Sequence, residues 1–174
     1  MPPKNVPTNR DLAALAPKVR IAAERVLAGM KADGFKCVQF DTLRTRDRQA
    51  FLFGKGRTPE QLIERGLSAY WSWPTCADGV VTRAAWHTES WHGYGLACDF
   101  VENDKDPWVA SQAFWAALGR HAIANGLRRD ITVGGHLDLP HTQLATTPKS
   151  PTIDDRLLLE SGGIGAVWRK YKAD

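Results

Sequence analysis

The sequence predicts an α+β fold, a small antiparallel sheet packed with helices. Three observations lead there. Helix-like and strand-like segments follow one another without regular β-α-β alternation, which argues against a parallel sheet. The chain has 174 residues, 43% of them hydrophobic, with seven Trp, six Phe and three Tyr to fill a core. That is the size and composition of one domain. No internal repeat and no long linker marks off a second unit, so residues 1–174 are expected to fold as a single domain.

The elements follow in order. Asn9 or Thr8 is placed to cap a short helix from Arg10 to Leu15, and Pro17 suits the first turn of a longer one. Val19, Ile21, Ala22, Val26, Leu27 and Met30 give that helix an apolar face, and Gly34 ends it. Phe35 to Thr42 reads as a strand, and Arg46 to Gly54 returns to helical character. Thr58-Pro59-Glu60-Gln61 is a capping-box helix start. Gly66 to Gly79, rich in aromatic and small residues, is expected to be an ordered surface loop. Leu96 to Val101 is a strand, and Trp108 to Asn125 an amphipathic helix ended by Gly126. Ile131 to Val133 and Leu137 to Leu139 are short strands that Gly134-Gly135 can join as a hairpin. Asp154 to Lys172 is helical with a break at Gly162-Gly163.

Composition narrows the function. A net charge of +4 and a pI of about 9.1 favour an anionic partner only mildly, and the basic residues are scattered. Nucleic acid is therefore not the expected partner. The longest uncharged apolar stretch, Pro107 to Gly119, is too short to span a bilayer. The polar, Pro-rich start is unlike a secretory signal. Cys37, Cys76 and Cys98 are odd in number and lack CxxC spacing, which argues against a disulfide scaffold or a thiolate zinc site.

Two segments carry chemistry. One runs from Ser90 to Asp99, SWHGYGLACD, and the other is Asp138-Leu139-Pro140-His141. A catalytic zinc takes three nitrogen or oxygen ligands and keeps a fourth position for water. His92, Asp99 and His141 would supply N, O and N. The dication less one carboxylate leaves a positive site that lowers the pKa of a bound water. Asp138, three residues before His141, is placed to face that water and move its proton to a leaving amine. Gly93 and Gly95 would let the chain turn between loop ligand and strand ligand. His136 is a rim residue, while His87 and His121 are not expected to be ligands. Trp86 and Trp91, beside the first motif, are the aromatics best placed to line a groove. Cys98 alternates away from Asp99 and should be buried and inert.

The pattern S-x-H-x-x-G-x-A-x-D, met by Ser90, His92, Gly95, Ala97 and Asp99, with D-x-P-H at Asp138, Pro140 and His141, resembles the signature of the zinc D-Ala-D-Ala carboxypeptidase family. Thr42-Leu43-Arg44-Thr45, Gln49, Gly56-Arg57-Thr58 and Val81-Thr82-Arg83-Ala84 look like elements of its phage-endolysin branch of L-alanyl-D-glutamate endopeptidases. Lys55 stands where that branch has Gln, and the stretch from Thr58 to Gly79 is longer than its pattern. The resemblance implies a hedgehog/DD-peptidase-like domain with zinc on His92, Asp99 and His141 and with Asp138 as base. It implies that Arg44 stabilises the oxyanion or anchors substrate, and that Ser90 bonds the substrate or the site. The bland readings are a plain carboxylate partner for Arg44 and a turn cap for Ser90.

The function so implied is hydrolysis of peptidoglycan stem peptides, in bacterial cell lysis by a monomeric bacteriophage enzyme without a separate cell-wall-binding domain. Such an enzyme would wait in the host cytoplasm without a signal peptide and then be released to the wall in the periplasm. A D-alanyl-D-alanine carboxypeptidase or dipeptidase with the same metal site is one alternative. A non-catalytic zinc-bearing module is another, against which Asp138 counts. Manganese or cobalt would also suit a His-Asp-His site.

Overall fold

The computed structural model describes residues 6–73, 89–133 and 135–174. The expected run Val81 to Ala84, Trp86, His87 and Gly134 lie outside them. Five helices and six strands appear among the described residues: α1 Pro17–Ala32, β1 Cys37–Asp41, α2 Arg46–Gly54, α3 Pro59–Ile63, β2 Ala97–Glu102, α4 Gln112–Ala124, β3 Leu127–Arg128, β4 Thr132–Val133, β5 His136–Leu137, β6 His141–Leu144 and α5 Ile153–Lys170. This is the α+β class expected. A four-stranded sheet runs in the order β1-β2-β6-β3 with every pair antiparallel, and β4 and β5 form a separate two-stranded ribbon.

Local chemistry explains most boundaries. Pro17 opens α1, Lys31 lies in its last turn, and Gly34 follows at a left-handed φ of 87°. The Thr45 hydroxyl accepts from Arg48 N at the start of α2. Thr58 and Gln61 form the full capping box of α3. Ser111 caps α4, so that helix begins at Gln112 and Trp108 lies before it. Asp11, rather than Asn9 or Thr8, caps the first turn, a 3-10 turn over Leu12–Ala14. Asn9 instead accepts from Asp11 N one step earlier. In α5 the break falls at Gly163, whose φ of 70° and ψ of 178° interrupt the helix.

One face of the sheet carries the core. Val19, Ala22, Ala23, Val26 and Met30 of α1 meet Phe114, Leu118 and Ala122 of α4, and both rows close over Cys98, Phe100, Leu127 and Leu144. Each Val, Leu, Phe or Met side chain among them taken fully from water contributes about 1.5–3 kcal/mol. Ile21, expected on this face, is instead 44% exposed, because the α1 stripe runs through Ala22, Ala23 and Val26. Strand residues alternate faces, so with Cys98 and Phe100 inside the core, Asp99 stands on the opposite face. There the pairing places Asp41, Asp99 and His141 side by side across β1, β2 and β6. That row is the floor of a cleft of about 960 Å³.

Candidate metal centre

His92 reaches the row from a 3-10 turn, Trp91–Tyr94. Ser90 caps the turn, its hydroxyl accepting from His92 N at 3.4 Å. Gly95 ends it in left-handed conformation, φ 65°. A Cβ there would sit 3.1 Å from the Ala14 carbonyl oxygen, so the close approach as well as the φ selects glycine. Gly93 is not among the residues of positive φ, so the turn draws its special conformation from Gly95 alone, a correction to the paired-glycine expectation. The loop after β1 grips the turn from beneath: Arg44 N donates to the His92 carbonyl at 3.0 Å.

Three ligand atoms then converge. His92 Nε2 lies 3.1 Å from Asp99 Oδ1 and 3.2 Å from His141 Nδ1, and His141 Nδ1 lies 3.3 Å from the same carboxylate oxygen. Nitrogen and oxygen ligands about 2.0–2.1 Å from a tetrahedral ion stand about 3.3–3.4 Å apart. The triangle thus has the edges of a metal site. Proton accounting agrees. His92 Nδ1 faces the Thr42 carbonyl at 2.9 Å, and His141 Nε2 faces Gln143 Oε1 at 3.0 Å. Those oxygens only accept, so the outer nitrogens carry the protons and the inner ones present lone pairs. Two lone pairs and a carboxylate oxygen at such distances repel unless a cation lies among them. Among the described residues, His92, Asp99 and His141 are a group that can hold a metal ion, and nitrogen and oxygen donors in this number fit zinc.

The charges around the group are arranged around Asp99. Burial would raise its pKa, yet in the absence of an ion the His92 and His141 imidazoles, when protonated, hold it well below the usual carboxylate range. Burial lowers the His141 pKa and Asp99 more than reverses that, leaving it raised. Asp41 and Asp99 are cross-strand partners, and like charges directly opposite destabilise a sheet. Arg44 offsets this by lying between them: its Nε donates to Asp41 Oδ2 at 3.0 Å and its Nη2 to Asp99 Oδ2 at 3.4 Å, while Nη1 donates to Gln49 Oε1 at 2.8 Å. Arg44 therefore sets the second oxygen of the ligand carboxylate, leaving Oδ1 for the imidazoles.

Asp138 lies at the foot of the β4–β5 ribbon and lines the same cleft. Its amide donates to the Ile131 carbonyl at 2.9 Å and its carbonyl accepts from His141 N at 3.2 Å. Burial, and then the nearby Asp99 charge, push its pKa up. A carboxylate so placed holds a proton more readily than a surface Asp. Ser90 and His136 line the cleft as well, with His136 exposed on the ribbon. His121 lies elsewhere, 2.9 Å from Asp33. Trp91 is 1% exposed and its indole N–H donates to the Pro148 carbonyl at 2.8 Å, so the more exposed aromatic wall is Trp108, packed edge-on to Phe40. Cys98 is buried, as alternation from Asp99 requires.

Asp41, Gln49 and Gln143 belong to this site and the motif reading missed them. For Gln143 a signal existed, since it follows His141 by two on a strand and so shares its face.

No protein-family model matches the chain, and no curated protein does. Among solved structures it is similar to VanYB in complex with D-alanine-D-alanine, at 14% identity over 92% of this chain and 87% of that one, with a TM-score of 0.48. It is also similar to a mutant of the vancomycin resistance D,D-pentapeptidase VanY from a VanB-type resistance cassette in complex with Zn(II), at 14% identity over 99% of this chain and 88% of that one, with a TM-score of 0.44.

Proposed function

We propose that this protein is a zinc-dependent peptidoglycan endopeptidase, a bacteriophage endolysin that hydrolyses the L-alanyl-D-glutamate bond of stem peptides once released from the host cytoplasm to the wall. The observation that carries the hydrolase reading is the 3.1–3.3 Å triangle of inner ligand atoms at the floor of an open cleft. The choice of bond rests on the motif resemblance spanning Thr42 to Leu144.

A bound zinc would supply Lewis acidity for activating water at neutral pH. The residues of the chain do the rest. Asp138, with its raised proton affinity, takes the proton of the attacking water and returns it to the leaving amine. Arg44 carries five N–H donors; Nε and Nη2 face Asp41 and Asp99 and one Nη1 hydrogen goes to Gln49, so one donor remains to meet a peptide oxygen or a stem-peptide carboxylate. Ser90 holds the His92 backbone in place and faces the same cleft. Lys149 and Arg48 on the walls add positive charge that suits an anionic peptide.

The test is digestion of purified peptidoglycan with mass spectrometry of the new termini, before and after chelation and zinc re-addition. New L-Ala carboxyl ends, lost on chelation, are the expected result. Released D-Ala would replace the endopeptidase with a D-alanyl-D-alanine carboxypeptidase. Intact peptidoglycan from a zinc-loaded protein would leave a non-catalytic zinc module.

A further inference from the structure

Gln143 is 1% exposed, and every hydrogen-bonding position of its amide group is constrained. Its Nε2 donates to Thr147 Oγ1 at 2.9 Å and to the Pro148 carbonyl at 2.8 Å. The Pro148 carbonyl can only accept. The Thr147 hydroxyl has one proton, and it goes to the Leu144 carbonyl at 2.7 Å, so toward Gln143 that oxygen also accepts. Two acceptors on one side fix which end of the amide is NH2. The other end, Oε1, must then face His141 Nε2, 3.0 Å away.

The consequence passes to the imidazole. An acceptor at Nε2 keeps the proton there and leaves Nδ1 with a lone pair directed at His92 Nε2 and Asp99 Oδ1, 3.2 and 3.3 Å away. The reverse tautomer would set a lone pair against Oε1 inside a buried network, which is costly. The Pro148 carbonyl that anchors Gln143 also accepts from Trp91 Nε1 at 2.8 Å. Trp91 directly precedes His92. A single carbonyl therefore ties together the segments that carry both histidines.

We propose that Gln143 is a positioning residue of the metal centre: its amide, oriented by Thr147 and the Pro148 carbonyl, sets His141 in the tautomer that presents Nδ1 to the ion. The inference rests on the reading of His92, Asp99 and His141 as a metal site, and it is independent of which bond is cut.

The test uses the full chain labelled with 15N-histidine and measures two quantities. The first is which ring nitrogen of His141 carries the proton in the zinc-loaded protein, from long-range proton–nitrogen spectra. The second is zinc affinity by competition with a chromophoric chelator. The expected result is Nε2–H at His141 in the zinc-loaded wild type, and in Gln143→Met a zinc affinity about 10–100-fold weaker. Val26→Ala, a core truncation far from the amide, should lower stability and leave zinc affinity unchanged, which separates positioning from general destabilisation. Should Gln143→Met fail to fold, Thr147→Val removes one acceptor behind the amide and is expected to weaken zinc binding in the same direction by a smaller factor. A His141 protonated at Nδ1 in the zinc-loaded wild type overturns the proposal, as does wild-type zinc affinity in Gln143→Met or, where that variant does not fold, in Thr147→Val. A wild type that binds no zinc sinks the metal reading on which the proposal rests, whereas a zinc-binding wild type matched in affinity by Gln143→Met sinks the role of Gln143 alone.

Discussion

The two walls of the cleft are built differently. Behind His92, Asp99 and His141 stands a four-stranded sheet backed by α1 and α4, and the outer atom of each imidazole ends on a buried oxygen. Opposite stands the β4–β5 ribbon, two residues per strand, with His136, Leu137 and Leu139 exposed. Asp138 sits where the ribbon meets the sheet, hydrogen-bonded to Ile131 on one side and His141 on the other. Convergence of three ligands within tenths of an ångström needs a stiff support. A surface that must accept a flexible peptide gains from a wall with few buried contacts. On the proposed function the division of labour follows: the sheet would fix the ion and the ribbon would shape what approaches it.

The contrast is broken most severely from the sheet side. His92→Ala removes one apex of the ligand triangle and strands the Thr42 carbonyl. It is expected to abolish stoichiometric zinc binding, to bring peptidoglycan hydrolysis to background, and to lower Tm in the same variant. Metal analysis together with thermal unfolding checks all three. Asp138→Asn comes next. It should retain zinc and Tm while turnover falls about 10²–10⁴-fold. Zinc loss in Asp138→Asn would show that the ribbon's foot belongs to the metal support after all. On the ribbon itself, Leu137→Ala trims an exposed side chain of the cleft wall. It should raise KM by about tenfold or less, the effect of losing part of one apolar contact, with zinc content and kcat unchanged.

The same asymmetry decided what was legible in the chain. The two motifs are local in sequence, so the group His92, Asp99 and His141 that the structure brings together, and Asp138 in the same cleft, could be named from residue type and spacing. Helix α2 was readable to its bounds, Arg46–Gly54, because Thr45 stands ready to cap it and no proline or glycine interrupts the run before Gly54. Strand β6 was not readable. Its buried run His141-Thr142-Gln143-Leu144 contains three polar residues, and what makes it a strand is pairing with β2 and β3, set by distant partners. For the same reason Asp41 looked like a strand end. Only the register that sets it beside Asp99 shows why Arg44 turns toward both.

The smallest expected effect lies outside both walls, in the anchoring of α5 beside the sheet side. Asp155 is fully buried at the first turn of the helix. Its carboxylate accepts from Thr152 N and Oγ1, both at 2.8 Å, from Lys170 Nζ at 2.5 Å and from the Tyr171 hydroxyl at 2.9 Å. Burial alone would raise its pKa, but the Lys170, Thr152 and Tyr171 bonds hold it below the ordinary 3.8. A carboxyl with a depressed folded-state pKa stabilises the fold above its unfolded value, and that contribution is lost as pH falls through the folded value. The wild type should therefore lose this part of its stability only below about pH 4. Asp155→Asn should remove it at neutral pH, at a cost on the order of 1 kcal/mol for a broken capping interaction, or about 2–4 °C in Tm for a chain of this length. Zinc affinity should not move. Unfolding scans of both proteins from pH 3 to 7 should show the gap between them closing toward the acid end, and a gap that stays constant would mean that Asp155 acts by shape and not by charge.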